Sequence, residues 1–258
     1  ARPERVAGMH FFNPVPLMAL VELIPGPATA PAVTDALVAL AERLGKTPVV
    51  AADTPGFIVN RIQRALYLEA FRILESGAAS IPAIDDAMRA AGFRLGPFEL
   101  ADVVGTDVNL AAGEAIHAGF GGDPRFAPAE VQRRVVAAGR LGRKSSAGYY
   151  DYDADGTRGE PWDALTVAGG RLDTAAIQRR VLATIVNEAA SAVADGVAAP
   201  GAVDTAMKLA SNWPAGPVEW GERLGLRSVL DTLEELDAAE PDGRYRVTPA
   251  LRRRAAGG

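Results

Sequence analysis

Apolar positions along the first fifty residues switch between a strand period and a helix period. Residues 6 to 12 (Val-Ala-Gly-Met-His-Phe-Phe) read as one short strand and Leu17 to Ile24 as a second. Between them Asn13-Pro14-Val15-Pro16 removes two backbone donors and forces a turn or an extended connector. From Pro31 to Leu44 the apolar residues Val33, Ala36, Leu37 and Leu40 take helical spacing, and Gly45 follows as a C-cap. Thr47 to Ala51 is a third short strand. Strand and helix therefore alternate as they do at the end of an α/β domain.

After Asp53-Thr54-Pro55-Gly56 the texture changes. Phe57 to Ser76 carries Phe57, Ile58, Ile62, Leu66, Phe71, Ile73 and Leu74 on a helical pattern, and strand signals almost vanish beyond it. Residues 151 to 175 are rich in Asp and Gly and read as a linker or surface loop. Helical patterning resumes at Ala176.

An internal repeat underlies the helical part. A shift of 119 residues puts Arg61 on Arg180, Glu69 on Glu188, Gly77 on Gly196, Asp85 on Asp204 and Met88 on Met207. One inserted residue then brings Gly96-Pro97-x-Glu99 onto Gly216-Pro217-x-Glu219. The domains predicted are residues 1–55, the end of a Rossmann-like domain; 56–150, a first helical copy; 151–175, a linker; and 176–258, a second copy. The expected fold class is α+β and predominantly α: a remnant of the last strands of a Rossmann-like domain followed by two repeated helical domains.

Composition removes several classes of function. Among 258 residues, 48% are hydrophobic and 23% charged, the balance of a soluble globular protein. There is no cysteine, so disulfides, thiolate metal sites and cysteine nucleophiles are excluded. A net charge of −5 gives no general attraction to nucleic acid or to anionic membranes. No apolar stretch is long enough to span a bilayer, and no signal-peptide pattern opens the chain. A cytoplasmic protein with neither nucleic-acid nor membrane partners is expected. Only two histidines are present, His10 and His117, with no carboxylate cluster, so no metal is expected. The chain begins within a strand, which reads as a fragment or a chain cut inside a domain.

The chemistry concentrates at His10 and Glu22, twelve residues apart. If the two strands are neighbours, the turn returns the chain so that Glu22 faces His10. A carboxylate against an imidazole fixes its tautomer and stabilises the imidazolium, which is the apparatus for removing a proton from an alcohol. On spacing alone, a simple hydrogen-bonded pair on adjacent strands explains the same residues equally well.

Four motifs, in order, break that tie. They are His10-Phe11-Phe12-Asn13-Pro14-Val15-Pro16 with Leu20-Val21-Glu22; Asp53-Thr54-Pro55-Gly56-Phe57-Ile58-Val59-Asn60-Arg61; Gly96-Pro97-Phe98-Glu99-Leu100-Ala101-Asp102; and Leu141-Gly142-Arg143-Lys144-Ser145 leading to Gly148-Tyr149-Tyr150. Together they resemble the 3-hydroxyacyl-CoA dehydrogenases, strongly over residues 6 to 150 and weakly through the second copy. The resemblance implies an NAD-dependent oxidation of L-3-hydroxyacyl-CoA to 3-oxoacyl-CoA. It makes His10 the general base, Glu22 its orienting partner, and Asn60 a hydrogen-bond donor to the substrate oxygen or a keeper of the site's geometry. Asn13 would position cofactor or substrate, or simply cap the Asn-Pro turn.

The departures set further expectations. No glycine triplet lies between a strand and a helix, so the pyrophosphate half of an NAD site is expected outside this chain, which by itself should neither bind NAD tightly nor turn over. A non-catalytic module for acyl-CoA binding or dimerisation, or a dehydrogenase of related 3-hydroxy acids, is the alternative. The shift places Arg179 on Asn60 and Asp173-Thr174-Ala175 on Thr54-Pro55-Gly56, so only the first copy should be catalytic. The two copies are expected to form a pseudo-dimer about an approximate two-fold axis, with a homo-oligomer left open.

Overall fold

A computed structural model describes residues 2–256. Strands β1 (Ala7–Phe11) and β2 (Leu20–Pro25), helix α1 (Pro31–Arg43) and strand β3 (Thr47–Val50) form the N-terminal unit. The sheet order is β1-β2-β3, with β2 antiparallel to β1 and parallel to β3. Helix α1 starts on Pro31, whose missing N–H costs nothing at a first turn, and the chain leaves it through Gly45 at φ +71°.

The fold class expected from the sequence needs correcting. The chain is mostly helical with a small sheet, as anticipated, but its first residues are not a mere remnant of strands. Side chains of a strand alternate between faces, and β2 carries buried apolar residues on both, with Glu22 beside Leu20 on one. Val21 and Leu23 join Ala41 of α1, with Met9, Phe11, Leu37 and Val38 packed around them, in a small core of their own. Leu20 faces the other way into the helical body, with Val49 and Ala51. β2 therefore serves two cores at once, which is why the unit stands as an ordered layer on the helices.

The helical body runs α2 (Val59–Glu75), α3 (Ile81–Ala90), α4 (Pro97–Val104), α5 (Thr106–Gly119) and α6 (Glu130–Ala137). A short ribbon of β4 (Tyr150–Tyr152) and β5 (Arg158–Pro161) follows. Then come α7 (Thr174–Ala194), α8 (Pro200–Ser211), α9 (Pro217–Leu224), α10 (Leu226–Ala239) and α11 (Pro249–Ala256). The order α7 to α10 repeats α2 to α5 element by element.

The same device fixes the α3–α4 and α8–α9 corners. Asp85 accepts hydrogen bonds from the amides of Phe98 (2.9 Å) and Glu99 (3.2 Å), and Asp204 from those of Val218 (2.8 Å) and Glu219 (3.3 Å). Each carboxyl closes the start of the next helix, where orphan amides point outward. A Cβ on Gly96 would lie 2.2 Å from Asp85, and one on Gly216 would lie 2.1 Å from Asp204. Glycine is therefore required at both corners.

The two copies share one core. α2 packs along α7, and buried residues of both copies, among them Ile62, Phe71, Val181 and Ile185, belong to a single apolar cluster. Arg61 donates to Glu188 across this interface (2.6 Å) and Arg180 donates to Glu69 (2.7 Å). Under the 119-residue shift these are the same pair read in opposite directions. Residues equivalent to each other also touch: Phe93 meets Trp213 edge to face at 5.3 Å, and the Thr184 hydroxyl reaches the Ala65 carbonyl. Self-contacts of this kind lie on a two-fold axis. α8 of the second copy packs in turn on β2 and β3, and the Ala52 amide donates to the Val197 carbonyl (2.9 Å).

Candidate active site

β1 and β2 pair so that His10 stands directly opposite Glu22, and both point to the sheet face that meets α2. The imidazole Nδ1 and the carboxylate Oε2 are 2.6 Å apart. Glu22 is fully buried, whereas the His10 side chain keeps 30% of its surface open. A buried carboxylate accepts the hydrogen bond, so Nδ1 carries the proton and Nε2 is left as the basic nitrogen. Phe12 meets the imidazole edge-on at 4.6 Å and Phe57 flanks it at 5.7 Å. These rings hold the imidazole plane and keep water from its sides.

The other oxygen of Glu22 does different work. Oε1 accepts from the backbone amides of Ile58 (2.9 Å) and Val59 (3.1 Å), the first amides of α2. Helix α2 has no side-chain cap of its own at Ile58. Glu22 supplies it from the sheet, and the positive end of the helix dipole compensates the buried charge. In the second copy α7 is closed locally, by Asp173 accepting from the Ala176 amide (2.8 Å). The first copy has thus handed its capping function to the strand that also orients the histidine.

The Thr54-Pro55-Gly56-Phe57 turn makes this meeting geometric. Gly56 (φ +79°) and Phe57 (φ +48°) are both left-handed, which reverses the chain and aims the next two amides at Glu22. A side chain at Gly56 would lie 2.8 Å from the Arg61 amide nitrogen. Phe57 has no such freedom, and its left-handed backbone costs about 1–2 kcal/mol. Its ring packs against His10 in return.

Asn60 lies one residue beyond the second capped amide, half-buried, and its side chain has no hydrogen bond among the described residues. Capping is not its role here, because Glu22 already closes the helix. Asn13 is exposed on the turn after β1, cis to Pro14, also with an uncommitted carboxamide among the described residues. Lys46 ties the same turn down by donating to the carbonyls of Val15 (2.5 Å) and Met18 (2.6 Å). The structure therefore gathers His10, Glu22 and the turn of α2 that bears Asn60, while Asn13 stands on the rim. Sequence reasoning missed Phe12 and Phe57 as walls and the second duty of Glu22. Backbone amides carry no letter, and only the Pro55-Gly56 step just before the helical pattern marked the turn that presents them.

Two further carboxyls are shifted but serve the scaffold. Burial pushes Asp85 up to about 7 and Asp102 up to about 6, against the hydrogen bonds that favour their charged forms. Asp102 accepts from the amides of Tyr149 and Tyr150 and from the Tyr152 hydroxyl, and Asp85 from the Tyr150 hydroxyl. They pin β4 to the helices rather than facing His10.

The family model "3-hydroxyacyl-CoA dehydrogenase, C-terminal domain" matches residues 56–152 and again 177–258. The model "3-hydroxyacyl-CoA dehydrogenase, NAD binding domain" matches residues 1–54. That match completes the correction made above: NAD-binding domain is present there, so the expectation of a bare remnant is overturned. The 3-hydroxyadipyl-CoA dehydrogenase of Escherichia coli (strain K12) is 36% identical over 98% of this chain and 70% of its own length. A probable 3-hydroxybutyryl-CoA dehydrogenase of Bacillus subtilis (strain 168) is 44% identical, over 59% of this chain and 53% of its own. The crystal structure of 3-hydroxybutyryl-CoA dehydrogenase from Escherichia coli K12 superposes with a TM-score of 0.87 at 36% identity, covering 99% of this chain and 71% of that one. The chain thus spans between about half and about seven-tenths of the length of these relatives.

Proposed function

The chain belongs to the 3-hydroxyacyl-CoA dehydrogenase family, whose cofactor is NAD, and from that premise we propose the oxidation of an L-3-hydroxyacyl-CoA to the 3-oxoacyl-CoA. The observation that carries this reading is the 2.6 Å contact between His10 Nδ1 and the buried Glu22. His10 Nε2 takes the proton of the 3-hydroxyl as the C3–O bond becomes a carbonyl. Bound NAD would supply the acceptor for the hydride that leaves C3. Glu22 holds the imidazole in the tautomer that leaves Nε2 basic, and its charge stabilises the imidazolium. The free carboxamide of Asn60 hydrogen-bonds the substrate oxygen as it gains carbonyl character.

The residues present fit the cofactor's needs on the substrate side. The imidazole is partly open, at 30% of its surface, with Phe12 and Phe57 against it, and Asn13 has no side-chain hydrogen bond among the described residues. Asn13 would hold cofactor or substrate there. Among the described residues no helix is long and apolar enough to cross a membrane, and a cytoplasmic location is part of the proposal.

We assign to the second helical copy the place that a partner subunit's helical domain takes in single-copy relatives. The reciprocal Arg61–Glu188 and Arg180–Glu69 pairs favour that reading over two independent modules.

The test is oxidation of a 3-hydroxyacyl-CoA by protein carrying this chain, followed as reduced nicotinamide. Turnover that depends on His10 supports the proposal. Turnover that survives His10→Ala, or none with any acyl length, defeats it.

A further inference from the structure

Arg61 is 1% exposed and sits in the first turn of α2, directly after Asn60. Its backbone amide donates to the Gly56 carbonyl (3.0 Å), closing the turn that aims Ile58 and Val59 at Glu22. Its side chain leaves that turn and enters the second copy. There Nε donates to Glu188 Oε1 (2.6 Å), and Nη2 to Asp195 Oδ2 (2.7 Å) and Ser191 Oγ (3.1 Å). Phe120 covers the guanidinium at 4.8 Å. Glu188 is itself buried and held on its other oxygen by Arg125 (2.8 Å). A continuous series of short bonds thus runs from the second copy to the dyad: Glu188, Arg61, the first turn of α2, Glu22, His10.

We infer that Glu188, on the helical copy that carries no dyad, is a positioning residue for the His10–Glu22 dyad, acting through Arg61 and the first turn of α2. The inference rests on the proposed role of His10. A guanidinium held through both Nε and Nη2 fixes the rotation and axial height of the turn that carries it, because its planar fork tolerates little change in angle. Among the described residues the Glu22 side chain has no hydrogen-bond partner other than that turn and His10. A small slip of the turn therefore moves the carboxylate, and with it the direction in which Nε2 points.

The pseudo-symmetry supplies its own control. Glu69 holds Arg180 as Glu188 holds Arg61, at the same interface and equally buried. Arg180, however, lies in α7, whose start is closed by its own Asp173 rather than by a carboxylate from the sheet. A purely structural role predicts lost stability at both, more at Glu188 because it also holds Arg125, with kcat intact in each. A positioning role predicts a loss of kcat at Glu188 alone.

The experiment compares Glu188→Gln with Glu69→Gln in protein carrying this chain. It reads kcat and KM with NAD and a 3-hydroxyacyl-CoA. It also reads the downfield proton resonance of the His10 Nδ1–H, identified against a His117→Gln background. We expect Glu188→Gln to lower kcat about tenfold or more with KM changed by less than about twofold, and to broaden or abolish the resonance. Glu69→Gln should lower stability by less, while leaving kcat and the resonance intact. Equal effects on kcat in both variants, or an unchanged resonance in Glu188→Gln, overturn the inference. Should Glu188→Gln fail to fold, Asp195→Asn weakens the same clamp from its half-exposed side and should give the same pattern at smaller size. If the wild-type protein reduces no NAD, the dehydrogenase reading falls while the resonance still decides the positioning role.

Discussion

Glu22 lies opposite His10 across the β1–β2 pair, and the carboxylate that orients the imidazole also closes the N-terminus of α2. One side chain therefore joins the sheet to the helical body and the chemistry to the fold. Removing His10 should act mainly on the chemistry. His10→Ala is expected to lower kcat by about 10²–10⁴, with a stability loss of about 1–3 kcal/mol because Glu22 Oε2 stays buried without its partner. Steady-state kinetics together with urea unfolding check both halves.

Glu22→Ala should act on both. It strips the acceptor from two buried amides and from the imidazole, and each orphaned buried group costs about 1–3 kcal/mol. Glu22→Gln keeps an acceptor for the amides but turns a donor toward Nδ1, which favours the wrong tautomer. The glutamine variant should therefore recover most of the stability lost by the alanine variant while recovering little of its kcat. Parallel recovery of both quantities would count against the double role.

Much of this site was readable from residue letters, and the boundary of what was not is physical. The Asn13-Pro14-Val15-Pro16 turn between two alternating segments was enough to bring Glu22 over His10, because register in a short antiparallel pair follows from turn and pleat. The bonds from Ile58 and Val59 to Glu22 were hidden because backbone amides are the same in every residue. The fold class went astray for a related reason: β2 puts buried apolar residues on both faces, and sequence cannot tell a strand that serves two cores from a stray strand left at a domain's end. The repeat showed that Arg61 and Arg180 are equivalent. It could not show that each takes the other copy's glutamate, since equivalence names counterparts and not partners.

Gly56 and Gly45 separate strain from collision. Both are left-handed, at +79° and +71°, but a Cβ at Gly45 meets nothing within 4 Å whereas one at Gly56 lies 2.8 Å from the Arg61 nitrogen. Gly45→Ala should cost about 1 kcal/mol, the backbone penalty alone. Gly56→Ala should cost more and also lower kcat, because the turn that aims two amides at Glu22 must move. Thermal unfolding of the two variants side by side, with kcat for each, checks the contrast.

Asp85 and Asp102 give stability a pH dependence. Their folded values, about 7 and about 6, lie above the ordinary carboxylate value of 3.8. The native state therefore binds more protons than the unfolded chain between about pH 4 and pH 7, so stability from these groups is present at the acid end and lost as pH rises through that window. Asp85→Asn and Asp102→Asn cannot titrate. The gap in melting temperature between wild type and each variant should shift in favour of the variant from pH 5 to pH 8. A gap that is flat with pH would show that burial does not hold these protons.

Phe93 and Trp213 test the axis between the two copies. They occupy equivalent corners, after α3 and after α8, and meet edge to face at 5.3 Å with both rings buried. No hydrogen bond fixes this contact, since the Trp213 indole nitrogen has no partner among the described residues. Its contribution is packing alone. Each truncation to alanine should cost about 3–5 kcal/mol as a buried aromatic is lost. The double variant should cost less than the sum by about 0.5–1.5 kcal/mol, the coupling expected of an aromatic pair in direct contact. Two helical copies held apart by residues 151–175 would give strict additivity, because neither ring would then feel the other. A double-mutant cycle from urea unfolding measures the coupling directly, and a value near zero would dissolve the shared interface through which the second copy reaches Arg61.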